Sequence, residues 1–368
     1  MSNVSIRNVS KNYPNGRKAV KNLSLDIADG EFVVLTGPAR CGKSSILRML
    51  AGLEDISAGE IFLDGKRIND IDPKERGLAL ISKNSAIYPQ MTVYENLAYG
   101  LKLRKLPMEE IDCRIQEIAR VLQMEDLLKR ESKFLSEDQK QLTVLGRALV
   151  RKPKVLLLDE PLWNLDANLR DDVCVRLSKL QKKLGMTFIY VTEDPLQALL
   201  LGQRIVVLKD GEVIQTDTPT NLREKPKNQF IAGFFCVPRM NFADAVLKKE
   251  GEETYLTFGQ SRLMVPSEKA GKLVDYLGKE IIFGICPDQI SDKGKYPAVE
   301  TKNLVPASVE TLKMMGPDVY LFASCEGTEF IVKEDPDTCI KTGDEIGLSF
   351  DVNEIFIFDK STQKTICN

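Results

Sequence analysis

The chain has 368 residues, 43% of them hydrophobic and 28% charged, which suits a folded globular protein with a larger and a smaller core rather than a disordered chain. A net charge of -2 supplies no general basic field and argues against nucleic acid as a partner. The complete lack of histidine excludes imidazole bases and hydrolytic triads, and eight scattered cysteines without a C-x-x-C pair argue against a structural zinc or a disulfide framework.

The first residues, MSNVSIRNVSKNY, carry no apolar signal-peptide core, and no run approaches the ~18 apolar residues of a membrane span. A cytoplasmic protein is expected. EFVVLTG at 31–37 reads as a buried strand, followed by a helix from Lys43 to about Leu53. From about 94 to 149 the periodicity is helical, as in EEIDCRIQEIARVLQM at 109–124, and predicts a helical subdomain inserted between strands. VLLLDE at 155–160 and TFIYVTED at 187–194 are short runs apolar on both faces, the pattern of a parallel sheet covered by helices. Later runs alternate: EIIFGI at 280–285, DVYLFAS at 318–324, TEFIVKE at 328–334 and EIFIFD at 354–359 predict a small all-β domain. The expected domains are 1–235 and 236–368.

Two motifs carry chemistry. GPARCGKSS at 37–45 fits G-x-x-x-x-G-K-[ST] between a strand and a helix. Gly37, Pro38, Ala39, Arg40, Cys41 and Gly42 form the loop whose backbone N–H groups would surround phosphate oxygens. Lys43 adds positive charge, Ser44 is a candidate Mg²⁺ ligand, and Ser45 follows at the helix start. VLLLDE then delivers two carboxylates at a strand end: Asp159 for Mg²⁺ and Glu160 to polarise an attacking water.

With these motifs in this order, the chain resembles the ATP-binding subunits of ABC importers of the carbohydrate (maltose and glycerol-phosphate) type. The likeness also rests on IYPQMTVYENLAYGL at 87–101, LGRALVRKPKVLLLDEPLWNLDA at 145–167, TFIYVTEDP at 187–195, RIVVLKDGEVIQTDTP at 204–219 and FGICPDQI at 283–290. It implies an α/β P-loop NTPase fold, an ABC-type core with an inserted helical subdomain, and a C-terminal all-β, OB-like regulatory domain. ATP and Mg²⁺ are the implied cofactors. The implied partners are two membrane permease subunits, an extracytoplasmic solute-binding protein reached through the complex, and a second ATPase subunit in a homodimer or heterodimer. The implied location is peripheral, on the cytoplasmic face of the membrane. Tyr13, in KNYPNG, stands where the family stacks an aromatic on adenine. Asp166 stands in the loop that meets the opposing subunit, and a helix N-cap is a compatible role for it. Tyr88, Pro89, Met91 and Glu95 match the surface that receives the membrane subunit.

Several positions depart from the family pattern. The L-S-G-G-Q signature, whose backbone N–H groups approach the terminal phosphate across the dimer, here reads Leu135-Ser136-Glu137-Asp138-Gln139. A like-charge pair at ~5 Å and an effective dielectric of ~20 costs on the order of 3 kcal/mol before screening. Glu193 stands in place of the switch histidine, Lys83 in place of the glutamine that senses Mg²⁺ and water, and Trp163 in place of a small serine. Lys83 and Glu193 either pair with each other or have drifted independently. Trp163 is either an obstruction at the dimer interface or a locally packed side chain.

The expected function is therefore coupling of ATP binding and hydrolysis to import of a solute, a sugar or sugar-like phosphate. The alternative is a hydrolysis-impaired subunit with a structural or regulatory place beside an active partner. A translation or repair ABC protein is disfavoured because it lacks this arrangement of the C-terminal β-domain.

Overall fold

The computed structural model of the chain describes residues 3–83, 85–163, 165–292 and 304–368. Two compact units are present, Met1–Pro219 and Thr220–Asn368.

The first unit begins with β1 (Val4–Asn12) and β2 (Lys18–Ile27), followed by β3 (Phe32–Thr36), α1 (Lys43–Ala51), β4 (Ala58–Leu63), β5 (Lys66–Arg67) and β6 (Leu78–Ser82). The helices α2 (Val93–Leu103), α3 (Met108–Leu122) and α4 (Glu137–Leu149) come next. The chain then returns through β7 (Val155–Asp159), α5 (Ala167–Leu184), β8 (Thr187–Thr192), α6 (Pro195–Leu201), β9 (Arg204–Lys209) and β10 (Glu212–Asp217). One sheet has the order β10-β9-β3-β8-β7-β6, parallel throughout except for the antiparallel edge strand β10. A second, antiparallel sheet has the order β2-β1-β4-β5.

Every residue of β3 and β8 is buried, which is why their sequences are apolar without alternation. Helix α1 sends Ile46, Leu47, Met49 and Leu50 into the core shared with Val33, Leu157, Ile189 and Val191, each burial stabilising by roughly 1.5–3 kcal/mol. Its last residue is Ala51, two short of the expected end near Leu53, because Gly52, left-handed at φ 76, closes the last turn as a C-cap. Arg76, only 6% exposed, donates to the Met49 and Leu50 carbonyls at 2.9 and 3.0 Å and so places a cation on the same helix end.

The predicted helical region is α2 to α4. In α3, Ile111, Ile115, Ile118, Ala119 and Leu122 form one buried stripe at helical spacing. Buried Asn96 in α2 latches the preceding segment. Its amide accepts from the Tyr88 N–H at 2.8 Å and donates to the Tyr88 carbonyl at 3.0 Å and the Ser132 hydroxyl at 2.9 Å.

The second unit opens with short helical segments, α7 (Pro219–Glu224), whose first residue still belongs to the first unit, and α8 (Gln229–Phe234). The division thus precedes the 235/236 position expected from the change to short alternating runs. Its reason is that this segment bonds to the C-terminal strands: the Gln229 N–H donates to the Gln363 carbonyl at 2.9 Å and the Thr365 hydroxyl to the Pro226 carbonyl at 2.5 Å. The strands are β11 (Asn241–Glu250), β12 (Glu253–Phe258), β13 (Ser261–Val265), β14 (Glu280–Ile285), β15 (Ile290–Asp292), β16 (Leu304–Met315), β17 (Asp318–Cys325), β18 (Thr328–Glu334), β19 (Glu345–Phe350), β20 (Phe356–Asp359) and β21 (Thr365–Cys367). They form two antiparallel sheets, β13-β12-β11-β14-β20-β21 and β15-β19-β16-β17-β18. Alternating side chains from both, including Leu247, Phe283, Phe330 and Phe350, fill one core.

Candidate nucleotide site

Four adjacent parallel strands, β3, β8, β7 and β6, end side by side, and the residue after each carries the candidate chemistry. The register pairs Thr36 with Thr192, Asp159 with Val191, and Ser82 with Asp159. The loop at Gly37, then Glu193, then Asp159 and Glu160, then Lys83 therefore line the carboxyl edge of the sheet, where open α/β sheets hold ligands.

The loop turns tightly because its two outer glycines permit it. Gly37 has φ 141, and a Cβ there would lie 2.0 Å from the Leu208 carbonyl oxygen. Gly42 has φ 108, and a Cβ would lie 2.2 Å from the Ala19 carbonyl oxygen. Such a cradle, left open by absent side chains, fits phosphate oxygens approached by backbone N–H groups. Pro38 is half-buried, and Ala39 and Arg40 form the exposed rim. Arg40 is left-handed at φ 64, with its carbonyl accepting from the Arg17 guanidinium at 2.6 Å. Burial raises the pKa of the Cys41 thiol despite the nearby Lys43 ammonium, which keeps Cys41 protonated.

Lys43 is 3% exposed and donates to the Gly37 and Pro38 carbonyls at 2.8 and 2.7 Å. Its Nζ also lies 3.5 Å from the Glu193 carboxylate, whose own side chain is 46% exposed. Ser44, the first exposed residue of α1, donates its hydroxyl to Asp159 Oδ1 at 2.8 Å. Burial raises the Asp159 pKa and the Glu160 charge adds to this, while the Ser44 hydrogen bond opposes it. A hydroxyl and a carboxylate at this separation are the hard oxygen donors that suit Mg²⁺.

Glu160 has φ 47, a strained conformation for a residue with a side chain, and its N–H is bonded to the Val191 carbonyl at 3.0 Å. Its carboxylate lies 3.1 Å from Lys83 Nζ. Lys83 and Glu193 therefore do not pair with each other. In sheet order β8 and β6 flank β7, so two inter-strand spacings of about 4.8 Å separate their ends, and each side chain meets a nearer opposite charge. Trp163 is 52% exposed and packs locally: its Nε1 donates to the Lys83 carbonyl at 3.0 Å and the Lys83 ammonium sits 4.8 Å from the ring centroid.

Tyr13 donates its hydroxyl to Glu54 at 2.7 Å and shares a hydrogen bond with buried Ser45 at 2.9 Å, while Lys11 stands 5.1 Å from its ring centroid. Desolvation is the largest cause of its raised pKa. Glu54, which also pairs with Arg48 at 2.7 Å, was invisible to motif reading because it lies outside the loop.

The altered signature sits at the start of α4. Ser136 is the N-cap, with its N–H donating to the Gln139 side chain at 3.2 Å, and Glu137 pairs with Lys140 at 2.7 Å. Asp138 accepts from the Ser136 hydroxyl. Both acids occupy the first turn, where they complement the partial positive charge of the helix end. Asp166 caps α5 through the Leu169 N–H at 3.0 Å. Among the residues matched to the membrane-subunit surface, Tyr88 is exposed against Tyr99, with Pro89 exposed and Met91 half-buried beside it. Glu95 closes a capping box with Thr92, whose N–H bond lowers the Glu95 pKa.

Among the described residues no helix is long and apolar enough to cross a membrane. The family described as ABC transporter matches residues 20–163, and the MalK OB fold domain matches residues 238–290. The oligosaccharides import ATP-binding protein MsmX of Bacillus subtilis is 41% identical over 368 residues, 100% of both chains. The trehalose/maltose import ATP-binding protein MalK of Thermococcus litoralis is 42% identical over 358 residues, 95% of both chains. Of solved structures, CbiO1 of Clostridium perfringens, part of the ABC transporter complex CbiONQ, aligns at TM-score 0.56 and 28% identity, covering 60% of this chain and 89% of that one. With likeness running through both units of the chain, this protein belongs to the ATP-binding proteins of ABC transporters that carry a MalK-type OB-fold domain.

Proposed function

We propose that the chain is the nucleotide-binding subunit of a sugar importer, coupling ATP binding and hydrolysis to uptake of an oligosaccharide or sugar-like phosphate. The names of MsmX and MalK support sugars as the solute class. The chain works at the cytoplasmic face of the membrane, docked to two permease subunits fed by an extracytoplasmic binding protein, and pairs with itself or with another ATPase subunit. The observation that carries the nucleotide reading is the Ser44–Asp159 hydrogen bond beneath the glycine-limited loop, with Lys43 beside it. Loop N–H groups and Lys43 would bind the phosphates, Tyr13 would support the base, Ser44 and Asp159 would hold Mg²⁺, and Glu160 would accept a proton from the attacking water. Mg²⁺ supplies charge neutralisation on the phosphates.

A second reading, slow hydrolysis beside an active partner, is kept for test because of two ion pairs. Lys83 pairs with Glu160 and Glu193 with Lys43, so two groups of the proposed chemistry are held by other side chains. Calorimetric titration of the purified chain with Mg-ATP and Mg-ADP tests the primary reading, with Lys43→Ala as control. Binding of neither nucleotide at millimolar concentration overturns it. Sugar-dependent stimulation of phosphate release in reconstituted vesicles holding the permease distinguishes the coupled ATPase from the silent subunit.

A further inference from the structure

The position of Glu193 is set by backbone, not by chance of side-chain placement. It follows β8, whose last residue, Thr192, is the sheet partner of Thr36 immediately before Gly37. Directly after it, Asp194 caps α6 through the Leu196 N–H at 2.8 Å and pairs with Arg170 at 3.3 Å. The carboxylate of Glu193 is thus delivered to the mouth of the phosphate loop, and although half of its side chain is exposed, it lies against the buried ammonium of Lys43 at 3.5 Å.

In a phosphate loop the backbone N–H groups cradle the α- and β-phosphates, whereas the lysine reaches the β- and γ-phosphates. A nucleoside diphosphate brings only its β-phosphate to Lys43 and lies otherwise in the N–H cradle, so Glu193 can share the lysine with it. A triphosphate adds a further anionic group on the lysine side, which must displace the carboxylate or lie beside it. We propose that Glu193 is a specificity-determining residue that makes this site favour Mg-ADP over Mg-ATP, by holding a negative charge where the third phosphate would meet Lys43. The inference rests on the reading of this site as a nucleotide pocket. The partial exposure of Glu193 screens the repulsion and lets the side chain swing aside, so the preference is about tenfold rather than absolute.

The test is a comparison of dissociation constants for Mg-ADP and a non-hydrolysable Mg-ATP analogue, measured by calorimetry on the full chain, unaltered and as Glu193→Gln. The glutamine keeps the size and hydrogen-bonding capacity of the side chain and removes only its charge. The expected result is ADP bound about tenfold more tightly by the unaltered chain, and a ratio moved toward the triphosphate by about the same factor in Glu193→Gln. Glu193→Asp, which retains the charge, keeps an ADP preference. Equal or tighter binding of the triphosphate analogue by the unaltered chain, or an unchanged ratio in Glu193→Gln, overturns the inference while leaving the nucleotide reading intact. Binding of neither nucleotide by either protein overturns both.

Discussion

The Lys83 ammonium and the Glu160 carboxylate stand 3.1 Å apart because Ser82 and Asp159, the residues before them, are partners across β6 and β7. The strands therefore deliver the next two side chains together. In the proposed hydrolytic role Glu160 must act on water, and an ammonium bound at this distance occupies the carboxylate that would meet that water.

Replacing Lys83 by glutamine is accordingly expected to raise phosphate release by roughly tenfold, a fraction of the ~100-fold or more that a positioned base supplies. In the unaltered chain Glu160→Gln is expected to cost less than in Lys83→Gln. Single-turnover phosphate release by the four combinations checks the coupling, and equal effects of Glu160→Gln in both backgrounds would show that Lys83 does not restrain it.

Restoring glycine at both Glu137 and Asp138 is expected to trade stability for closure of the dimer. The double change removes two acids from the first turn of α4, where they complement the helix end, and adds two flexible residues, for a loss of about 1–3 kcal/mol. Urea denaturation followed by helical circular dichroism should show an earlier midpoint. ATP-dependent dimerisation, followed by light scattering, should meanwhile increase.

For Tyr13 the ring and the hydroxyl separate cleanly. Tyr13→Phe removes the hydrogen bonds to Ser45 and Glu54 but keeps the face proposed to support adenine. It is expected to leave nucleotide affinity within about threefold, whereas Tyr13→Ala loses stacking of about 1–3 kcal/mol, or roughly 5- to 150-fold. Competition titrations with ADP measure both, and equal losses in the two variants would assign the role to the hydroxyl.

Asp359, at the end of β20, accepts from the Ser361 hydroxyl at 2.7 Å, the Thr362 N–H at 2.7 Å and the Thr362 hydroxyl at 2.8 Å. These bonds, the Ser361 hydroxyl first, lower its pKa to about 2. A folded value below the unfolded one stabilises the fold fully above the ordinary aspartate range and loses that contribution as pH falls through the folded value. The destabilisation caused by Asp359→Ala should therefore be greatest above about pH 4 and shrink toward pH 2. Urea midpoints across that range, compared between the two proteins, would expose a constant difference if the bonds did not favour the charged form.

Much of the fold was legible because its signals are local. VLLLDE and TFIYVTED are apolar without alternation since β7 and β8 are covered on both faces, and α3 carries its stripe at helical spacing. The antiparallel sheet containing β1 and β2 was not read. Val4, Ile6 and Val9 do point inward, but the register shifts in this pairing break the two-residue period on which such reading depends.

By itself the sequence determined that a glycine-limited loop of the phosphate-loop pattern is followed by a lysine, a hydroxyl and, farther along, two carboxylates, since each is a matter of residue type and short spacing. It also marked Lys83, Glu137, Asp138 and Glu193 as departures from the family. Only the tertiary structure decided what those departures touch. Strand order is not written in residue spacing: that β8 lies between β3 and β7, and β6 beyond β7, sends Glu193 to Lys43 and Lys83 to Glu160. Likewise Trp163 meets Lys83 across 80 residues of chain, a contact produced by the turn after β7 passing the turn after β6, which no local pattern encodes.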